Sequence, residues 1–167
     1  MTGVAPLKKV TAKHFYSFDS DTLIKAFNDP SVVEAKLLDS GAKDVTVDLT
    51  QTEAGFTVSI ERTMPADVPS VLKAVLGEWN IAKQTETWTG SPEQGYECAL
   101  NIEIDGVPVK ITGNMTITSS GILTTNHVEI EISSSIPLMG GQMEKFVASS
   151  IEKSIAQEFT FLKQYLG

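Results

Sequence analysis

Several side chains in this sequence are of types that do chemistry. His14 and Tyr16 stand two apart in a β-rich run, Val10 to Phe18, so they share one strand face. An imidazole, whose unperturbed pKa is about 6.5, beside a phenol has the form of an acid–base pair. The same pairing is also a common structural hydrogen bond. His127, Glu129 and Glu131 alternate with Val128, Ile130 and Ile132. One imidazole and two carboxylates offer metal-ligand atoms, but they fall on the polar face of their strand, where side chains are solvated, and no metal is expected there. Cys98, the single cysteine, lies between Tyr96 and Leu100 in phase with apolar residues. No His or cation is near it in sequence to favour a thiolate, so it reads as a small hydrophobe. Arg62 continues the inward phase of Phe56, Val58 and Ile60. Such a guanidinium can hold a ligand carboxylate or phosphate, pair with an internal acid, or emerge at a rim. Glu86 and Trp88 are in phase with Ala82 and Gln84, whereas Trp79 and Ile81 favour the opposite face, so their direction stays open. None of these groups is assigned as catalytic.

Bulk properties bound what these residues can serve. The 167 residues suit one domain spanning 1–167, with residues 1–9 expected as a loose tail. A net charge of -8, with the 13 basic residues scattered, sets aside a broad nucleic-acid surface, which needs clustered Lys and Arg. One cysteine excludes an internal disulfide and any multi-cysteine metal site. No run has signal-peptide character and none approaches the roughly 20 apolar residues of a membrane span. A cytoplasmic protein without stable membrane insertion is the expectation. Gly140-Gly141 lacks the longer Gly-x-x-x-x-Gly-Lys-Ser/Thr pattern of a phosphate loop. The pair reads instead as a place of close backbone approach, and no cofactor is implied. Oligomeric state is not legible.

The elements that must position the candidates follow from periodicity. After the first strand, Asp19 to Asp21 can cap a short helix carrying Leu23, Ile24 and Phe27, and Pro30 opens a second that Gly41 ends. Alternating runs then follow: "AKDVTVDLT", "GFTVSIER", "GYECALNIEIDG", "VPVKITGNMTITSS" and "LTTNHVEIEIS". Hairpin-sized links make neighbours antiparallel. "MPADVPSVLKAVLG" interrupts them with a short helix. From Met139 to Leu166, apolar residues recur at helical spacing, while Glu144, Lys145, Glu152, Lys153 and Lys163 lie away from that stripe. About 28 helical residues reach roughly 42 Å. A helix this long cannot bury its stripe alone, and a curved sheet with one apolar face can receive it.

Such packing leaves space between helix and sheet, either filled by side chains or kept as a cavity for an apolar ligand. The residues expected to line a cavity are Tyr96, Cys98, Leu100, Met115, Ile117, Met143, Phe146, Val147, Ser150 and Ile151, with Arg62 and Tyr16 as polar orienters.

Three stretches give the chain a resemblance. They are His14-Phe15-Tyr16 with "SFDSDTLIKAFNDP"; "ERTMPADVPSVLKAVLG" with "QTETW" after it; and "IPLMGGQMEKFVASSI". With their spacing they span nearly the whole chain. The layout resembles the α+β helix-grip fold of the START and birch-pollen-allergen superfamily (SRPBCC), and is similar more closely to a bacterial family labelled domain of unknown function 2505. The resemblance implies a curved seven-stranded antiparallel sheet wrapped around a long C-terminal helix, with two short helices after the first strand. It also implies a deep pocket taking a small hydrophobic molecule such as a lipid or polyketide. Two other readings stay open. One is a cyclase or dehydratase using His14 or Tyr16; the other is an interaction protein with a packed core.

Overall fold

Period-two patterning sets the sheet. The computed structural model describes residues 7–66, 68–135 and 140–167. Seven strands form one antiparallel sheet: β1 (Leu7–Tyr16), β2 (Lys43–Gln51), β3 (Gly55–Pro65), β4 (Trp79–Ser91), β5 (Gly95–Ile104), β6 (Val109–Ser120) and β7 (Leu123–Ser134). Their order across the sheet is β1-β7-β6-β5-β4-β3-β2, so β2 to β7 form a run of hairpins and β1 closes beside β7. The sheet is curved, and its inner face carries the core. On β7, for example, Val128, Ile130 and Ile132 are buried while Glu129 and Glu131 face outward.

Between β1 and β2 lie α1 (Ser20–Phe27) and α2 (Pro30–Asp39). Asp19 caps α1 by accepting the Thr22 N–H at 2.8 Å, and Asp29 caps α2 by accepting from Ser31 at 3.0 Å. Leu23, Ile24 and Phe27 of α1 and Val32, Val33 and Leu37 of α2 enter the core. A third helix, α3 (Ser70–Leu76), joins β3 to β4, and Leu72 buries against the core. The side chains of Val71, Val75 and Leu76 lie outside the described residues.

The long helix α4 (Gly140–Leu166) runs against β1 and β7 and touches α2. Met139, expected at its start, lies outside the described residues. Glu144 corrects the expected polar face. It is buried, and its Oε2 accepts the Ser134 N–H at 2.9 Å, tying the end of β7 to the first turns of α4. Residues 7–9, expected in a loose tail, belong to β1 and pair with Ser133, Ile132 and Glu131. Leu-Lys-Lys is too short to show a strand's alternation; β7 supplies the hydrogen bonds that make these residues a strand.

Gly141 is a second correction, while the surroundings of Gly140 lie outside the description. A Cβ on Gly141 would meet nothing within 4 Å, so close approach does not explain that glycine. Gly113 is one place where backbones do crowd, as Gly55 and Gly90 are: a Cβ there would collide with the Glu129 carbonyl oxygen of β7.

Candidate functional site: a half-polar cavity beneath the terminal helix

Burial along α4 is uneven. Met143, Glu144, Val147 and Ala148 are buried at one end and Leu162 near the other. Between them no residue from 149 to 161 is buried, although Ile151, Ile155 and Phe159 face the sheet. Beneath these middle turns lies a cavity of about 120 Å³, partly open to solvent. Its apolar floor and walls come from Leu100 and Ile102 of β5, Met115 of β6, and Val128 and Ile130 of β7. Phe27, Ile151, Ile155, Phe159 and Leu162 complete them.

Nearly half of the lining side chains are polar: His14, Tyr16, Lys36, Arg62, Gln84, Glu86, Asn126, Ser154 and Glu158. Each reaches the cavity for a local reason. Arg62, Gln84, Glu86 and Asn126 occupy inward positions of their strands, in phase with Ile60, Ala82, Trp88 and Val128. Glu158 lies seven residues after Ile151 and four before Leu162, on the inward stripe of α4. Lys36 projects from α2 between Val32, Val33 and Leu37.

Most of these groups satisfy one another. Lys36 Nζ lies 3.2 Å from Glu158 Oε1 and 4.8 Å from the centre of the Phe27 ring. Glu86 accepts from Trp88 Nε1 at 2.9 Å and from Gln84 Nε2 at 2.6 Å, one donor on each oxygen. The His14 ring stacks on Phe159, with centroids 4.2 Å apart. Two groups are left over. Nε and Nη1 of Arg62 are buried without a hydrogen-bond partner among the described residues, although the residue as a whole keeps some accessible surface. Asn126 Oδ1 is likewise buried and unpartnered.

Electrostatics follow the geometry. Burial pulls the Arg62 guanidinium below its ordinary pKa, opposed by the charges of Glu158 and Glu86. Burial lowers His14 from 6.5, with Glu158 opposing. Burial and Glu158 both push the Tyr16 phenol upward, so it remains a hydroxyl. Burial raises Cys98, beyond any role as a thiolate at neutral pH.

The expected site residues separate into four groups. Tyr16, Arg62, Leu100, Met115 and Ile151 line the cavity. Cys98, Ile117, Met143 and Val147 are buried in the packed core, and Phe146 packs partly against it. Ser150 is exposed on α4. Tyr96 borders a second cleft, of about 240 Å³, beside α1. Phe27 lines the first cavity while Phe56 and Trp88 line the second, so the tilted contact of Phe27 with Trp88, centroids 4.9 Å apart, separates the two.

Nothing in the local sequence marks Lys36 as a lining residue; for Asn126 and Glu158 the inward phase is the available signal. His127 lies 4.0 Å from Glu129 on the outer face, and no group of three potential metal ligands occurs among the described residues.

Comparison with known proteins places this arrangement. TTHA0849 from Thermus thermophilus aligns with a TM-score of 0.60 at 14% identity, over 96% of this chain and 100% of its own. A START superfamily protein from Mycobacterium smegmatis gives 0.60 at 11%, over 95% and 96%. Truncated norcoclaurine synthase from Thalictrum flavum gives 0.61 at 10%, over 97% of each chain. At such identities the likeness is one of fold. No curated protein matches the sequence. The match that does extend along the sequence covers residues 11–166, and by it this helix-grip chain belongs to the family described as "Protein of unknown function (DUF2505)".

Proposed function

We propose that the protein binds a small, largely apolar molecule in the cavity between the sheet and α4, in the cytoplasm. The observation that carries this reading is the unburied middle of α4. A helix whose apolar stripe is sealed at both ends but not between them is spaced from the sheet by a void, and a void lined by Leu100, Met115 and Ile155 gains free energy when apolar surface fills it. Its size supports a compact ligand, since an engineered cavity of about 150 Å³ in another protein takes benzene. Fold neighbours include a START superfamily protein and a norcoclaurine synthase solved with a transition-state analogue, which supports the use of this space for ligands. No helix among the described residues is long and apolar enough to cross a membrane.

Protein purified from its own host, examined by native mass spectrometry and solvent extraction, should release one small apolar compound per chain. Ser154→Phe, which fills the void from α4, should abolish uptake while leaving the fold intact. Ligand-stripped protein with no saturable binding across a broad lipid and polyketide panel would sink the reading.

A further inference from the structure

Among the described residues, four charged side chains line the cavity, and three of them have close polar partners. Lys36 meets Glu158 at 3.2 Å, and both oxygens of Glu86 are taken by the neutral donors Gln84 and Trp88. Arg62 is the exception. Its Nε and Nη1 are buried and unpartnered, and Glu86 and Glu158 influence it only through space. A buried donor without an acceptor is costly, and a charged one more so. The missing element is therefore an acceptor for these two nitrogens, and a carboxylate is the strongest acceptor a guanidinium takes.

We propose that the ligand is a small monocarboxylic acid whose carboxylate meets Arg62 while its apolar body fills the space beneath Ile151 and Ile155. The proposal rests on the binding reading above and specifies its ligand class. A single negative charge fits better than a phosphate dianion, because the carboxylates of Glu86 and Glu158 act on the same guanidinium and would repel a second charge. The unpartnered Asn126 Oδ1 adds a place for a hydroxyl donor on the same molecule. A cavity of about 120 Å³ limits the buried body to one ring or a short chain.

A matched series tests this: 3-phenylpropanoate, 3-phenylpropanol and 3-phenylpropylamine, titrated calorimetrically into wild type, Arg62→Gln and Arg62→Lys at pH 7 and low salt. The acid should bind wild type at least about tenfold tighter than the alcohol, and the amine most weakly. Arg62→Gln should remove that preference, bringing the acid-to-alcohol affinity ratio to about one, and Arg62→Lys should retain part of it. Equal binding of acid and alcohol to wild type overturns the carboxylate assignment and leaves the apolar cavity standing. So does an equal loss of both in Arg62→Gln. No binding of any of the three at millimolar concentration overturns the binding reading and this inference with it. The wild-type comparison needs no variant to fold.

Discussion

Replacing Arg62 by methionine should stabilise the empty protein. Methionine keeps much of the stem's length and removes a guanidinium with two sequestered, unpartnered nitrogens. Leaving a buried donor unsatisfied costs about 1–3 kcal/mol. Losing the through-space attraction of Glu86 and Glu158 offsets part of the gain, but both carboxylates keep their nearer partners. The net expectation is a gain of about 0.5–2 kcal/mol, or roughly 1–8 °C in Tm for a chain of this length. Lys36→Met provides the contrast. That ammonium is buried and paired with Glu158, so its removal strands a half-buried carboxylate and should cost about 1–3 kcal/mol. Two substitutions that each remove one positive charge from one cavity should thus move stability in opposite directions. Thermal and urea unfolding of ligand-stripped protein at pH 7 reads both. An Arg62→Met variant less stable than wild type by more than about 1 kcal/mol would show the guanidinium to be well satisfied, and would refute the reasoning built on it.

Titration of His14 should appear in the pH dependence of stability. Its folded pKa lies below 6.5, so its contribution is complete above that value and is lost as pH falls from there through the folded pKa, because the unfolded chain takes up the proton first. His14→Phe keeps a ring to stack on Phe159 and should flatten that slope. The losses from Asp19 and Asp29, whose folded values lie below 3.8, belong to more acid solution and should persist. Gly141→Ala should be neutral or stabilising by up to about 1 kcal/mol, as helix propensity favours alanine and nothing obstructs its Cβ. Gly113→Ala should destabilise by more than about 2 kcal/mol as its Cβ meets the Glu129 carbonyl, and equal melting of the two variants would contradict the assignment. The Cys98 thiol, buried and with its pKa raised, should react with a disulfide reagent only at the rate at which the protein unfolds.

The architecture was legible because strands and helices write their exposed faces in different periods. Cys98 and Leu100 announced the inner face of β5, and Phe56, Val58 and Ile60 carried the phase inward to Arg62. Depth was not legible. Met143, Val147 and Ile151 share one stripe, yet the first two are pressed into the core and only the third overlooks the cavity, because periodicity gives a direction and not the distance to the opposing surface. Glu86 stayed ambiguous because Trp79 and Ile81 put apolar side chains on the outside of the same strand, where Lys43 covers the Trp79 ring at 3.8 Å. Lys36 gave no signal of its own. Its burial is decided by Glu158, more than a hundred residues away, and no local pattern reports a partner at that range.

The uneven seating of α4 sets where this molecule yields. A rod clamped at both abutments bends most easily at midspan, and the turns from 149 to 161 have the least beneath them. Amides in that stretch should exchange with solvent faster than those near Val147 or Leu162, and a guest lodged below should slow them selectively, stiffening the deck while its footings stay still.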